Sequence, residues 1–378
     1  MSALMRGLRI VLLVFFAAAG IGAARNIVHA QEAEMPLILW SRGDLYRVND
    51  AAVSPVKLTN DGNLSSPALS PSGQWIAYKT ASTVGLEALS RVSADGLIAE
   101  FDLPADIVLF DITSGAAIPL TEQPADASLF VEGTPDRAVL RSAPVWAPDS
   151  SQLAWTEVDY SIGSARLMVY DVASAQASTL ALLPAQPNRL VPLNVHWGSA
   201  GIAVDLSPDA GSDQFHVIYD PTSGEPIGAL GVAAVPGNSV RLTTWVTDSS
   251  GRALLGLLYE SGGWTLIDPT NNTPVSYSTL PVLKTAADGS WHLRFGVDAS
   301  LGFYWEVEGS NAAATGEPNG VALSPVGNRL AVVGQPAAGV ASIFDGSAMT
   351  AIAGTGSGEG EIPVGAVLWG PMQWVLGL

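Results

Sequence analysis

The side chains that most often perform catalysis or bind metals are few in this sequence and widely separated. The four histidines are His29, His196, His216 and His292, and none has a second histidine at metal-ligand spacing. The chain contains no cysteine, which excludes disulfides, a thiol nucleophile and thiolate metal sites. We therefore predict no metal ion bound through histidine, and these residues are interpreted as ordinary strand histidines.

Two other stretches suggest chemistry by composition but lack the necessary pattern. The glycine-rich run GTGSGEGE (354–361) has neither the lysine nor the following helix of a phosphate-binding loop. The turn NDGN (60–63) offers oxygen ligands for calcium, yet no EF-hand spacing is present. No G-x-S-x-G nucleophile elbow occurs. We predict turns or a flexible connection at these places, no cofactor and no catalytic residue.

The remaining candidates are carboxylates gathered between residues 81 and 141, where ten acidic residues accompany three arginines. The candidate binding residues of this acidic, partly apolar surface are Glu87, Arg91, Asp95, Glu100, Asp102, Phe130, Glu132, Asp136, Asp159 and Tyr160. Aromatic anchors surrounded by acids favour a protein or peptide partner, particularly a basic one. The alternative is that the acids form a solubilising coat and the segments only cover a neighbouring strand edge.

Charge and the N-terminal segment limit the class of protein. The formal net charge is −18 and no run of Lys or Arg occurs, so we expect no nucleic-acid partner. Arg6 and Arg9 precede an apolar stretch at 10–24, and Val28-His29-Ala30 matches a cleavage site, so residues 1–30 are predicted to be a signal peptide. The apolar stretch is shorter than the ~20 residues of a spanning helix. We expect a periplasmic or extracellular protein that meets a membrane only through this segment or a partner; the alternative is an uncleaved anchor.

A short pattern recurs along the chain and predicts the elements that position these residues. ALSPSGQWIAYKT (68–80), APVWAPDSSQLAWTE (143–157) and VALSPVGNRLAVVG (321–334) each place a turn between two apolar runs. Two apolar runs around a Gly/Asp/Ser turn predict a β-hairpin. The residues before the turn in the seven copies are Leu69, Trp146, Trp197, Trp245, Lys284, Leu323 and Trp369.

Each hairpin is followed by a third run that usually ends in Asp, as in IVLFDITSG (107–115) and RLMVYDVASA (166–175), and by a weaker fourth run. The Asp is expected to accept backbone N–H groups in a turn, and the Gly to supply a positive φ. Each unit is therefore predicted to be four short antiparallel strands. The anchors are 77, 51, 48, 39, 39 and 46 residues apart, and all but the first match a propeller blade.

A small four-stranded sheet cannot bury both of its apolar faces unless similar sheets stack around an axis. The repeats resemble the TolB-like propeller repeat, a relative of WD-type repeats, most clearly in LSPSGQWIAY with IVLFDITSGAAIPLT and in WAPDSSQLAW with RLMVYDVAS. The resemblance covers about residues 37–378 and implies a fold without an activity. We expect no counterpart of the α/β domain of TolB, and the Gly-His and Trp-Asp signatures of WD repeats are missing.

The main prediction is an all-β, seven-bladed β-propeller of four-stranded antiparallel blades, forming a single domain over 31–378. If 279–318 is an elaborated connection, the count is six. The C-terminal VGAVLWGPMQWVLGL and the N-terminal LILWSRGDLYRVND are expected to share the blade that closes the ring. LILW and QWVLGL both resemble the second strand of that blade, so one of them is surplus.

Two connections, 81–106 and 122–142, are much longer than the others. The first joins strands two and three of a blade and the second joins two blades, so both emerge on the same face, beside TEVDYSIGSA (156–165). Long loops on a rigid scaffold are common binding sites. The leading hypothesis is an exported, non-enzymatic propeller that binds a protein or peptide through this face. The alternatives are a carbohydrate-active hydrolase or lyase with carboxylates at the channel mouth, and an accessory subunit of a membrane-associated complex.

Overall fold

The structure is a computed structural model, and Pro36–Leu378 forms one compact unit. The described residues are 35–95, 103–185, 191–207, 213–232, 240–248, 250–259, 264–271, 274–277, 282–285, 292–298, 302–308, 321–324, 329–334, 337–345, 348–370 and 374–375. The predicted signal segment 1–30 lies outside them.

The described strands form antiparallel sheets in chain order. The N-terminal strands are β1 (Leu37–Ser41), β2 (Asp44–Val48) and β3 (Val56–Lys57). Blade 1 contains β4 (Leu64–Leu69), β5 (Trp75–Ala81), β6 (Ala105–Asp111) and β7 (Ala117–Pro119), with helix α1 (Thr83–Asp95) between β5 and β6. Blade 2 contains β8 (Val139–Arg141), β9 (Val145–Trp146), β10 (Gln152–Asp159), β11 (Ser164–Asp171) and β12 (Gln176–Leu183).

The second half of the chain continues the series. Blade 3 contains β13 (Val195–Gly198), β14 (Gly201–Asp205), β15 (Gln214–Tyr219) and β16 (Pro226–Val232). Blade 4 contains β17 (Val240–Thr247), β18 (Ala253–Tyr259), β19 (Trp264–Ile267) and β20 (Pro274–Tyr277). A three-stranded sheet follows, with β21 (Val282–Thr285), β22 (His292–Asp298) and β23 (Gly302–Glu308). Blade 5 contains β24 (Val321–Leu323), β25 (Leu330–Val333), β26 (Ala341–Phe344) and β27 (Met349–Ala351), and β28 (Ala366–Leu368) and β29 (Trp374–Val375) end the series.

The ring is closed by strands from both ends of the chain, as predicted. β28 pairs antiparallel with β1, with Ile38 opposite Leu368, and the closing blade has the order β28-β1-β2-β3. The N-terminal LILW is therefore the second strand. The C-terminal segment is the surplus one, because β29 pairs in parallel with β17 of blade 4 instead, with Val246 opposite Trp374.

The blade count differs from the main prediction. Among the described residues, six sheets have the four-strand order of a blade: blades 1 to 5 and the closing blade, with the innermost strand of blade 2 in two pieces. The sheet at 282–308 has three described strands. A seventh four-stranded blade is therefore not confirmed, and six such blades match the alternative count. The predicted number of blades was too high because each anchor residue was taken to mark a full blade. The Lys284 copy contains the hairpin but only a poor third run and no clear fourth run.

Three of the four tryptophans before the predicted turns occupy equivalent places, while Trp369 directly follows the last residue of β28. Trp146, Trp197 and Trp245 lie on innermost strands, opposite Leu153, Ile202 and Leu255 on the second strands. The indole nitrogens of Trp146 and Trp245 donate to the carbonyl oxygens of Ala68 (2.9 Å) and His196 (3.0 Å). Each of these acceptors belongs to the innermost strand of the preceding blade. A partly buried indole thus satisfies its N–H by joining neighbouring blades.

The core lies between blades, as the stacking argument requires. One buried cluster contains Ala77 and Ile107 of blade 1 with Leu153, Trp155 and Tyr170 of blade 2. Corresponding clusters join the closing blade to blade 1, blade 2 to blade 3, and blade 3 to blade 4. Blades 1, 2 and 3 therefore bury both faces against their neighbours, which stabilises them because removal of apolar surface from water is favourable.

The predicted Asp turns are also confirmed. The carboxylate of Asp111 accepts the N–H groups of Thr113 and Ser114, and Asp220 accepts those of Thr222 and Ser223. Hydrogen bonding to the charged form holds the pKa of Asp220 below its usual value, and the same bonds lower that of Asp111 despite the opposing effect of burial. Gly224 has φ +72° at the end of its turn.

Candidate binding face

The second-to-third-strand connections and the blade-to-blade connections emerge together on what we call the insertion-bearing face. The two long connections span 82–104, between β5 and β6, and 120–138, between β7 and β8. These bounds differ by one to four residues from the predicted 81–106 and 122–142. The turn 160–163 between β10 and β11 opens on the same face.

The first insertion contains a helix that the sequence reading did not predict. The hydroxyl of Ser82 accepts the N–H of Gly85 (3.1 Å), which is an N-cap bond, and donates to the carbonyl of Pro104 (2.8 Å). Gly85 lies so close to Pro104 that an added Cβ would be 2.2 Å from its carbonyl oxygen. The cap residue and the apolar spacing of Val84, Ala88 and Val92 were signals of an amphipathic helix.

Helix α1 packs against the second insertion and the neighbouring blade. Ala88, Leu129 and Ala138 form a small buried cluster, with Phe130 and Tyr160 packed against it. The guanidinium of Arg91 donates to the carbonyl of Leu129 (3.1 Å), so a polar contact reinforces the apolar one. Helix α1, the residues 129–138 of the second insertion and Tyr160 therefore pack together.

The second insertion has an ordered hairpin of its own. Ser128 and Arg137 exchange two backbone hydrogen bonds of 2.6 Å. Within this hairpin the carboxylate of Asp136 accepts the N–H of Phe130 (2.7 Å), which helps hold Phe130 at φ +56°. Asp136 thus has a structural partner inside the loop.

A buried charge network lies beneath both insertions. Arg141, whose side chain is 4% exposed, donates from Nε to Glu157 (2.8 Å) and from Nη1 to Asp106 (2.8 Å). It also donates to the carbonyl oxygens of Ala105 and Glu122, where the first insertion ends and the second begins. Burial raises the pKa of Asp106 although the positive charge of Arg141 opposes the rise. Arg141 therefore ties the bases of both insertions to blade 2.

The exposed groups of the face are acidic and aliphatic. Glu87 pairs with Arg91 at 3.1 Å, while Glu132 is exposed at the tip of the hairpin. The large apolar side chains that reach solvent here include Leu86 of α1, 39% exposed, and Ile162 of the turn 160–163, 71% exposed. Leu86 lies on the side of α1 away from Ala88, so it does not contribute to the buried cluster. This arrangement combines exposed apolar side chains with carboxylates.

The structure brings together most, but not all, of the predicted residues. Asp159 accepts the N–H of Ser161 (3.1 Å) in its own turn, and Asp95 is the last residue of α1. Glu100 and Asp102 lie outside the described residues. The two aromatic residues chosen as anchors are partly buried supports of the insertions, whereas the sequence reading did not select Leu86 or Ile162. The exposure of Leu86 follows from its place on α1, and that of Ile162 from its place in the turn 160–163. Neither could be predicted before these elements were located.

A separate cavity of about 470 Å³ lies in the channel, where the innermost strands of blade 5, the closing blade and blade 1 meet. Its wall includes Trp40, Ser65, Ser66, Val321 and the stretch 365–370. Among the described residues that line it, none is a carboxylate. The cavity therefore has no acid pair of the kind that glycoside chemistry uses.

The described histidines form no metal site. His196 and His216 lie on neighbouring strands of blade 3, and burial lowers the pKa of His196 to about 4. His292 belongs to β22, and His29 lies outside the described residues. In the part of the chain that the structure describes, no three His, Asp or Glu side chains are grouped to hold a metal ion. Within the same residues, no helix has the length and apolar character needed to cross a membrane.

The four-stranded sheets that follow one another in chain order, and the closing blade shared by both ends of the described chain, identify the fold. The fold is that of a β-propeller. The chain is 13% identical to TolB from Acinetobacter baumannii, with a TM-score of 0.43, covering 89% of this chain and 66% of that one, so it spans about two thirds of that protein. It is 17% identical to the periplasmic gluconolactonase PpgL of Pseudomonas aeruginosa, with a TM-score of 0.46 and coverages of 88% and 97%. The β-propeller domain of the Trilobed protease from Pyrococcus furiosus is 12% identical, with a TM-score of 0.42 and coverages of 76% and 84%.

No protein-family model matches the chain, and no curated protein matches it. The TolB-like resemblance therefore stays at the level of the propeller fold.

Proposed function

We propose that this chain is an exported, non-enzymatic β-propeller that binds a protein or peptide partner through the insertion-bearing face. The observation that carries the proposal is the packing of α1 and the hairpin 128–137 into one feature above the Arg141 network. A surface that is ordered before binding loses less conformational entropy when a partner arrives. Insertions that only made the surface charged and soluble would not require a buried guanidinium and a capped helix to order them.

The chemistry of the face favours a basic partner segment with apolar side chains. Leu86 and Ile162 provide apolar contact area, and the acidic residues around them, including Glu87 and Glu132, provide negative potential. Such potential accelerates association with a basic partner and is screened by salt. Export is proposed from residues 1–30, and N-terminal sequencing of the protein isolated from its native envelope tests it.

The experiment uses capture of an envelope protein by the full-length chain. The double substitution Leu86→Ser with Ile162→Ser is expected to abolish capture, and Glu132→Lys to weaken it, with wild-type capture falling as salt rises. Val53→Ser is the matched control, because Val53 is 59% exposed in the β2–β3 connection on the opposite face. Capture that is lost equally in the Val53→Ser variant, or retained in the double variant, contradicts the proposal.

Two alternatives remain distinct from this proposal. A carbohydrate-active hydrolase or lyase requires carboxylates at the channel mouth, and the channel cavity at Trp40 is lined by none. An accessory role in a membrane-associated complex predicts that the captured protein is itself part of a larger membrane assembly, which co-purification after detergent extraction distinguishes from a single soluble partner.

A further inference from the structure

The channel cavity is built at the place where the ring closes. It lies over the three-residue strand β28 and is flanked by β24 on one side and β4 on the other. Its volume of about 470 Å³ falls within the range of small-molecule sites. It is separate from the insertion-bearing residues that carry the proposed function, since none of them lines it.

One wall of the cavity has an irregular backbone. The pairing of β4 with β5 shifts between Ser65 and Ala68, so that an extra residue bulges out of the strand. Ser66 in this bulge has φ +49°, a left-handed conformation that is unfavourable for serine. It also precedes Pro67, which further restricts the backbone of a preceding residue. Strained residues at bulges are concentrated at functional sites, where the surrounding structure maintains them.

The bulge contributes two serines to the lining of the cavity. Ser65 and Ser66 are both exposed and both line it. Neither hydroxyl forms a hydrogen bond with another group in the described part of the chain, in contrast to Ser70 and Ser82 of the same blade. These two groups are therefore available to donate to a ligand and accept from it.

Another part of the lining, next to the bulge, is aromatic. The indole nitrogen of Trp40 donates to the carbonyl of Leu64 (3.0 Å), which fixes the plane of the ring. The ring packs directly on Gly365, where an added Cβ would be 2.7 Å from it. Trp40 remains partly exposed, and no charged side chain is among the lining residues that the structure describes. A charged ligand would lose hydration without gaining a counter-charge, so the lining selects against it.

We propose that this cavity is a binding site for a small uncharged molecule with an apolar face and several hydroxyl groups, the chemistry of a neutral sugar or aryl glycoside. The apolar face contacts Trp40 and the aliphatic wall, and the hydroxyls exchange hydrogen bonds with Ser65 and Ser66. The proposal is for binding without cleavage, since the described lining residues include no carboxylate to act as acid or base.

The test is calorimetric titration of the full-length chain with phenyl β-glucoside, a neutral probe with a ring and hydroxyl groups. Saturable binding at one site is expected, with phenyl glucuronide, its anionic counterpart, binding at least tenfold more weakly. Ser65→Phe fills the cavity from an exposed position and is expected to abolish binding. A wild-type chain that does not bind the glucoside, or a Ser65→Phe variant that binds it equally well, overturns the proposal.

Ser66→Gly separates ligand binding from folding. Glycine accepts a positive φ without strain, so this variant is expected to melt at a higher temperature than the wild type while binding the glucoside at least fivefold more weakly. Ala175→Gly is the matched control, because Ala175 also has a positive φ, of 54°, but lies in the turn before β12. It is expected to raise the melting temperature and leave affinity unchanged.

Two further outcomes contradict the assignment. Unchanged affinity in Ser66→Gly would show that its hydroxyl does not contact the ligand. If the glucoside binds only after residues 371–378 are deleted, the cavity is a docking place for that C-terminal segment and not a ligand site. Neither outcome affects capture of a partner by Leu86 and Ile162, so failure here is distinguishable from failure of the proposed function.

Discussion

At the residue scale, Arg141 places a positive charge in the interior beneath the insertion-bearing face. Its guanidinium is almost fully buried and meets two carboxylates and two backbone carbonyls. Glu157, one of those carboxylates, also bonds Arg166 at 3.1 Å and the indole of Trp155 at 3.2 Å. Desolvation of buried charges is offset only when such geometry is complete.

Arg141→Met is expected to lower the free energy of unfolding by about 3–5 kcal/mol, because Asp106 and Glu157 remain buried without their main counter-charge. Urea unfolding followed by tryptophan fluorescence measures it. The matched control is Arg137→Met, which breaks an exposed pair with Asp126 and is expected to cost less than about 1 kcal/mol. Equal losses in the two variants would show that the network is not the support of this face.

Two histidines of blade 3, His216 fully buried and His196 partly exposed, are expected to make the free energy of unfolding depend on pH. Burial lowers the pKa of His196 to about 4 and also lowers that of His216, whose ring nitrogens have no hydrogen-bond partner among the described residues. Asp205 opposes both shifts without cancelling them. The folded state therefore holds both rings neutral at a pH where the unfolded chain protonates them.

The free energy of unfolding is therefore expected to fall as pH drops from about 6.5 towards 4, by roughly 1.4 kcal/mol for each unit of pKa depression per histidine. His216→Leu removes one titrating group and an unpartnered polar side chain, so its stability should decline less over this range. Urea titrations at several pH values give the comparison, in which acid effects common to both proteins cancel. Parallel pH profiles for the two proteins would contradict the prediction.

At the scale of elements, helix α1 depends on one close approach. Gly85 is placed where a side chain would collide with the carbonyl of Pro104, at the junction that the Ser82 cap also joins. Alanine normally favours a helix over glycine by about 1 kcal/mol. Here the collision with the backbone is expected to outweigh that preference.

Gly85→Ala is therefore expected to destabilise the protein by about 1–3 kcal/mol, the range of overpacked substitutions, and to speed amide exchange in α1. Ser90→Ala is the control on the same helix, because Ser90 is exposed and its change should be neutral or slightly stabilising. Hydrogen-exchange mass spectrometry and urea unfolding test both variants. A stabilising Gly85→Ala change would mean that the junction relaxes freely.

At the scale of the whole molecule, closure depends on the short strand β28. Val367 is 4% exposed and Trp369 2% exposed, and the strand pairs with β1 more than three hundred residues away in sequence. Innermost strands of the other blades are joined to their neighbours through a hairpin. β28 has no such covalent link to β1, so non-covalent contacts hold the ring shut: the pairing and buried side chains of β28, and hydrogen bonds such as that from Ser41 to the carbonyl of Pro363 (2.7 Å).

A chain ending at Gly365 is expected to lose on the order of 5 kcal/mol or more, from the apolar burial of β28 and Trp369, and to unfold in more than one step. A chain ending at Gly370 keeps β28 and is the matched control, expected to unfold cooperatively near the wild-type temperature. Calorimetry distinguishes them. If both truncated chains melt alike, the closure by β28 does not limit stability.

The sequence by itself determined the repeating local structure. Asp111 and Asp220 satisfy backbone groups two and three residues away, and Trp146, Trp197 and Trp245 precede hairpin turns. Interactions of such short range depend only on residues close in sequence, so the four-stranded repeat could be predicted. The β-propeller and its shared closing blade followed from the number and order of the repeats. Strand order also places both insertions on one face, and the binding role of the residues on that face stays a prediction.

The tertiary structure decided what depends on competition between distant segments. LILW and QWVLGL have the same pattern, and only pairing with β28 chose Leu37–Ser41 as the second strand. Whether Phe130 or Leu86 faces solvent depends on where α1 docks. The cavity beside the Ser66 bulge exists only where blade 5, the closing blade and blade 1 come together. Burial and strand register depend on contacts between elements. Where several pairings fit the same sequence pattern, the pattern alone does not determine which pairing forms.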